Sequence, residues 1–188
     1  MNIDGWEYEY QSLSGWEVHD KLPWCTDKMR SNPESNTACL IYSIGEVRMG
    51  TEMGYLALFQ DKQAPRLLLN VTSMMFPIQD PFYSKDGRYL VLKAQVYVEA
   101  EHSLDCPILF LNLAERSFAK FKMRGNNYNY GIKELSPTRF RILVDEYQKS
   151  KGFDEDAIVD VNDLTWTPFR KCPFCDRLQV QESHSPDL

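Results

Sequence analysis

The chain has 188 residues, of which 43% are hydrophobic and 13% are aromatic, and this composition predicts one globular domain rather than a disordered chain. Its formal net charge of −6 argues against nucleic acid as the main partner, because phosphate backbones require a basic surface. No apolar segment approaches the roughly 20 residues that span a bilayer, so we expect no membrane partner.

We treat the chain, residues 1–188, as a single domain. It has three stretches that differ in residue composition. Residues 1–35 predict an irregular segment with short aromatic strands. Because Met1 to Glu7 lacks the basic and apolar stretches of a signal peptide, we expect a cytoplasmic protein. Residues 36–170 alternate apolar runs with turns, which predicts antiparallel strands. Residues 171–188 are a C-terminal tail, and the polar composition of residues 179–188 predicts that its end is frayed.

The clearest local signal lies in the middle of the chain, from Ser84 to Lys93. Asp86-Gly87 is typical of a tight turn, because glycine adopts positive φ without strain and aspartate bonds its own backbone. Tyr89 and Val91 then follow at the spacing of a strand. The sequence therefore predicts a turn that leads into a β-strand.

Similar units recur about every 50 residues, with apolar strands that begin at Cys39, Tyr89 and Phe140. A predicted hairpin follows each of these openings. The three predicted hairpins are Leu58 to Leu69, Phe110 to Phe121 and Val159 to Phe169. This spacing predicts an all-β fold of antiparallel hairpins in about three repeats over residues 36–170. The alternative is an unrelated antiparallel meander with hairpins of similar length.

The segment Ser84-Lys85-Asp86-Gly87-Arg88-Tyr89 resembles the Ser-x-Asp-Gly-x-aromatic turn that opens many blades of β-propellers. The resemblance implies a partial or propeller-like array that binds through loops at one end or through a central opening. Three copies fall short of the four or more blades that close a propeller. Its open edges would then be covered by the terminal segments or by a partner.

The five cysteines include one close pair, Cys172 and Cys175, which does not predict a disulfide framework and favours a reducing compartment. As half of a zinc site, the pair needs two further ligands. Candidate ligands are Cys25, Cys39, Cys106 and His184. A redox role would need a βαβ context, which the surrounding sequence does not predict. We therefore interpret the pair as structural or incidental and predict no cofactor.

No catalytic motif is present in the sequence. The three histidines, His19, His102 and His184, are scattered, and there is no H-E-x-x-H pair. No G-x-S-x-G elbow surrounds Ser84, and no phosphate-binding glycine loop occurs. We predict that the protein is not an enzyme.

An acidic cluster at positions 154–156 is the best candidate for a docking surface, since carboxylates attract a cationic partner. The alternative is an ordinary solvated loop. Acidic residues would surround aromatic anchors in such a surface. The predicted contact residues are Asp154, Glu155, Asp156, Glu99, Glu101, Tyr97 and Tyr128.

In general character, an acidic and aromatic-rich chain without catalytic motifs resembles the immunity proteins of bacterial toxin systems. This resemblance implies a non-enzymatic protein that covers the active site of a basic toxin. Two alternatives stay open: a metal-dependent enzyme or structural subunit that uses Cys172 and Cys175, and an oligomeric scaffold in which a partner completes an open sheet edge.

Overall fold

A computed structural model describes residues 2–3, 6–7, 27–42, 53–61, 66–77, 81–98, 101, 103–125 and 130–169 of the chain. Most of these residues lie in strands, and neighbouring strands of the main sheets are antiparallel. The described residues contain one α-helix, which is five residues long. The prediction of an all-β fold built from antiparallel strands is confirmed.

The strands are β1 (Asn2–Ile3), β2 (Trp6–Glu7), β3 (Asp27–Asn32), β4 (Thr37–Tyr42), β5 (Met53–Gln60), β6 (Arg66–Pro77), β7 (Phe82–Tyr83), β8 (Tyr89–Lys93), β9 (Val96–Val98), β10 (Ser103–Asp105), β11 (Ile108–Asn112), β12 (Ser117–Phe121), β13 (Tyr130–Ser136), β14 (Arg139–Val144), β15 (Ala157–Asp160) and β16 (Thr167–Pro168). The helix α1 is Glu146–Ser150, and a 3₁₀ turn covers Val161–Asp163.

Three sheets contain three or more of these strands. The first sheet has the order β3-β4-β5-β6, the central sheet β16-β12-β11-β8-β7 and the third sheet β13-β14-β15. The remaining strands form two separate pairs, β1 with β2 and β9 with β10. The described part of the chain has no helix with the length and apolar character of a membrane span.

The strands β8 and β11 of the central sheet are buried on both faces, which explains why apolar residues follow one another along them. Leu90 and Leu92 of β8 pack into a core cluster with residues of the first sheet. The alternate residues Tyr89 and Val91 pack into a second cluster with residues of the third sheet. Because successive side chains of a strand point to opposite faces, a strand between two layers must be apolar throughout. The central sheet therefore lies between the other two sheets.

The predicted turn before β8 is formed by a compact set of hydrogen bonds. The Ser84 hydroxyl donates to Asp86 Oδ1 at 2.6 Å, and the amide of Arg88 donates to the same oxygen at 3.1 Å. The amide of Tyr89 donates to Ser84 Oγ at 2.8 Å. At the turn, side-chain oxygens of Ser84 and Asp86 therefore accept hydrogen bonds from backbone amides that have no partner on a neighbouring strand.

Gly87 lets this turn approach the first sheet closely. Its φ is +71°, a conformation that glycine adopts more readily than other residues. A Cβ atom at this position would lie 2.9 Å from the backbone nitrogen of Ser35, in the turn between β3 and β4. Glycine is therefore required both by the backbone conformation and by the contact between the two turns.

The predicted repeat agrees with the structure in its strands but not in all of its hairpins. Cys39, Tyr89 and Phe140 lie in β4, β8 and β14, and β5–β6 and β11–β12 are hairpins. The third predicted hairpin is wrong, since β15 pairs with β14 whereas β16 pairs with β12. The segment that we expected to be irregular contains β3, which pairs along its whole length with β4.

Candidate docking site

The acidic cluster belongs to a well-defined connection between β14 and β15, residues 145–156, which we call the α1 segment. Asp145 is the N-cap of α1, because its Oδ1 accepts a hydrogen bond from the amide of Gln148 at 2.9 Å. After the helix, Gly152 adopts a φ of +67° and its amide donates to the carbonyl of Lys149. The segment is therefore a helical turn with a glycine that reverses the chain.

Asp154 is an internal structural residue of this segment. It is only 5% exposed, and its Oδ2 accepts hydrogen bonds from the amide of Gly125 and the hydroxyl of Tyr130, both at 2.9 Å. Its Oδ1 accepts the amide of Glu155 at 3.0 Å. The carboxylate thus fixes the end of the α1 segment to the residues before β13 and to β13 itself.

Asp156 fixes the same segment to β14. Its Oδ1 accepts the amide of Val144 at 2.9 Å and lies 3.0 Å from the ammonium of Lys149, and its Oδ2 accepts Arg141 Nη2 at 2.8 Å. The pKa of Asp156 is lowered to about 2. The largest cause is the hydrogen bond from the Val144 amide, and the second is the hydrogen bond from the Lys149 ammonium. The charged carboxylate is therefore the form that the folded protein stabilises.

This pKa predicts an acid-dependent loss of stability. The pKa of Asp156 is lower in the folded chain than in the unfolded one. The ionised carboxylate therefore contributes fully to the free energy of unfolding above about pH 4, and this contribution is lost as the pH falls towards 2. We expect Asp156→Asn to lower the urea midpoint at pH 6 and to lower it by a clearly smaller amount near pH 2.5. An equal difference between the two proteins at both pH values would contradict this assignment.

Two aromatic side chains of the α1 segment face solvent. Tyr147 is 63% exposed and Phe153 is 56% exposed. The Lys151 ammonium lies 5.7 Å from the centre of the Tyr147 ring, and the Phe153 amide donates to the carbonyl of Gln148 at 3.1 Å. Both aromatic residues are thus carried by a backbone whose conformation is set by internal hydrogen bonds.

The other predicted contact residues have different positions. Glu155 is exposed, and Glu101 is exposed with its carboxylate accepting a hydrogen bond from the Ser103 hydroxyl at 3.2 Å. Tyr97 lies in β9, opposite Leu104 of β10. Glu99 and Tyr128 lie outside the described residues. The role of the whole set in partner binding stays a prediction, although Asp154 and Asp156 already use their carboxylates within the protein.

The structure describes two of the five cysteines. Cys39 and Cys106 are free and buried, and burial raises the pKa of both thiols, with the neighbouring Asp105 charge adding to the shift at Cys106. Cys172 and Cys175 lie outside the described residues. Within the described ranges, no three His, Cys, Asp or Glu side chains are grouped so that they could hold a metal ion.

Sequence reasoning missed α1 and its two exposed aromatic residues. The available signal was Asp145 followed three positions later by Gln148, a spacing typical of a helix start. A helix of five residues is too short to produce a hydrophobic period, so the sequence pattern does not predict it. Comparison of the chain with protein-family models, curated proteins and solved structures gives no match.

Proposed function

We propose that the protein is a non-enzymatic protein-binding module that contacts its partner through the α1 segment. The observation that carries this proposal is the exposure of Tyr147 and Phe153 on a segment whose two ends are fixed by aspartates. Exposed aromatic rings are typical anchors of protein interfaces, because they bury a large apolar area with few rotatable bonds.

The fixed backbone supports the proposal in a second way. A partner that binds a mobile loop must order that loop, and the lost entropy weakens the complex. Here Asp145, Asp154 and Asp156 hold the segment before any partner arrives. More of the free energy from burying the two rings is then available for binding.

Within this class, we propose the inhibitor type, of which toxin immunity proteins are an example. A short, fixed segment with two exposed aromatic side chains has a form that can fill a cleft on a partner. The exposed carboxylate of Glu155, two positions after Phe153, favours a basic partner surface, whereas the Glu146 carboxylate lies 3.2 Å from the Lys149 ammonium.

We further propose that the three sheets are blade-like units of an incomplete propeller. Adjacent sheets share core clusters, and β4, β8 and β14 begin at intervals of about 50 residues. Face-to-face packing of successive antiparallel sheets is the arrangement of propeller blades. In such an array the α1 segment is the loop that joins β14 to β15 at one end of the third sheet. Partner-binding residues are common in loops of this kind.

Photo-crosslinking tests the proposed function directly. A photoreactive amino acid at position 147 or 153 should form a covalent adduct with one protein in the native cells, and mass spectrometry identifies that protein. The same amino acid at Glu115, which is exposed in the turn between β11 and β12, is the control position. Absence of a specific adduct from both aromatic positions would refute the proposal.

With the identified partner in hand, we expect Tyr147→Ala combined with Phe153→Ala to raise the Kd by at least about 30-fold, since two anchors each contribute about 1 kcal/mol or more. Titration calorimetry of the purified proteins measures this change. Glu115→Ala should leave the Kd within about twofold. An unchanged Kd in the double variant would place the contact elsewhere.

The metal-dependent alternative and the scaffold alternative predict different measurements. Stoichiometric zinc in the purified protein, lost when Cys172 and Cys175 are both replaced by serine, would favour the former. A stable oligomer in sedimentation velocity would favour the latter. The proposed module is expected to be metal-free and monomeric before its partner is added.

A further inference from the structure

The outer face of the third sheet is basic, although the whole chain is acidic. Alternate residues of β14 divide between the two faces, with Phe140 and Ile142 buried and Arg139 and Arg141 exposed. Lys133 of β13 is also exposed. We call this solvent-facing side of the third sheet the basic face.

Two of its cations oppose each other directly. Lys133 pairs in register with Arg141 across β13 and β14. Like charges at directly opposite positions destabilise an antiparallel sheet. The Arg141 guanidinium is compensated by Asp156 at 2.8 Å, but among the described residues no carboxylate forms an ion pair with Lys133.

Arg139 likewise forms no ion pair among the described residues. It lies in register with Asp160 of β15, but no ion pair joins the two side chains in the described part of the structure. The Asp160 carboxylate instead accepts hydrogen bonds from the backbone and side-chain nitrogens of Asn162 at 3.0 and 2.9 Å. The basic face therefore exposes two cations whose charges are available to an external group.

Apolar side chains lie among these cations. Ile158 of β15, which is opposite Arg141 in register, is 56% exposed, and Leu135 of β13 is 46% exposed. An ordinary solvated face would place polar residues at such positions. Cations interleaved with exposed aliphatic side chains are suited to a ligand that carries both carboxylates and apolar groups.

We propose that the basic face binds an acidic, partly apolar segment of another protein. Its carboxylates would pair with Lys133 and Arg139, and its apolar side chains would cover Ile158 and Leu135. This inference deepens the proposed function, since both require a protein partner, but it depends on different residues from the α1 segment. The two can therefore fail separately.

Charge and composition favour a protein segment over the other occupants. Nucleic acid would be repelled by the net charge of −6, and the basic face presents aliphatic rather than aromatic side chains for contact with bases. A symmetric dimer through this face would bring its own cations together, because a two-fold interface apposes the same surface from both subunits.

The test uses the full chain labelled with ¹⁵N and a short synthetic peptide that alternates aspartate with leucine. We expect the peptide to shift the amide signals of β13, β14 and β15, and the same peptide with lysine in place of aspartate to shift none of them. Lys133→Glu combined with Arg139→Glu should weaken binding by about tenfold or more, and added salt should weaken it further.

Arg88→Glu combined with Arg124→Glu is the matched control, because it makes the same change in net charge with exposed arginines outside the basic face. It should change the peptide Kd by less than about twofold. Equal losses in both double variants, or shifts confined to other strands, would overturn the proposal. So would tighter binding of a single-stranded oligonucleotide, or a dimer that Lys133→Glu with Arg139→Glu dissociates.

Discussion

Phe140→Ala is expected to lower the free energy of unfolding by about 3–5 kcal/mol, the usual cost of removing a large buried aromatic side chain. Phe140 is fully buried in the second core cluster. Its ring meets those of Phe82, Tyr89 and Phe110 at centroid distances of 6.2, 6.0 and 5.5 Å, each in an edge-to-face arrangement. All three contacts join the third sheet to the central sheet, so the alanine variant leaves a cavity between the two layers.

Urea unfolding of the wild type and the variant measures this difference. Phe153→Ala is the matched control, because it deletes the same atoms from a ring that is 56% exposed, and it should cost about 0.5 kcal/mol or less. Phe140→Leu should fall between the two, since leucine fills part of the volume. If Phe140→Ala cost no more than Phe153→Ala, the third sheet would not depend on this ring for its packing.

The strands could be predicted from the sequence because their signals are local. Cys39 and Tyr89 each lie in an apolar run of strand length, and Phe140 lies in a strand that alternates exposed and buried residues. Asp86-Gly87 specifies its turn through neighbouring side chains and a positive φ. Such features are specified by a few residues that are adjacent in the sequence, so the sequence alone predicts them.

Strand partners could not be predicted in the same way. Val159 and Phe169 flank a plausible hairpin, yet β15 pairs with β14, and β16 crosses to β12 of the central sheet. The short strand β16 is placed by pairing with a strand about 50 residues earlier and by burial of Phe169 in the first core cluster. No local pattern reports a contact of that kind.

The internal contacts of the acidic cluster could not be predicted from the sequence, and its role in docking stays a prediction. The roles of its carboxylates depend on Gly125, Tyr130 and Arg141, which are distant in sequence from Asp154 or Asp156. The net charge of −6 is a sum over the whole chain and does not describe any one surface. The described residues carry nearly equal numbers of acidic and basic side chains, so most of the negative excess belongs to positions outside them.

Asp154→Ala is expected to lower the free energy of unfolding by about 3 kcal/mol, because it removes hydrogen bonds from a buried charged group and leaves their donors unpaired. The amides of Gly125 and Glu155 and the hydroxyl of Tyr130 all lose this acceptor. Urea unfolding measures the global effect, and hydrogen exchange of the Gly125 and Glu155 amides measures the local one. A change below about 0.5 kcal/mol with unchanged exchange would contradict the structural role of Asp154.

A double-mutant cycle separates this network from a simple loss of packing. Tyr130→Phe deletes one donor but keeps the ring, and its hydroxyl proton is shared between the Asp154 carboxylate and the Gly125 carbonyl, at 2.9 and 3.0 Å. We expect the double variant to cost less than the sum of the single variants by at least about 0.5 kcal/mol, since both remove the same interaction. Asp154 lies near the end of the α1 segment and fixes its backbone, while Tyr147 and Phe153 are exposed. Its loss should therefore also weaken partner binding, because the two rings would be carried by a more mobile backbone, although Asp154 itself is only 5% exposed.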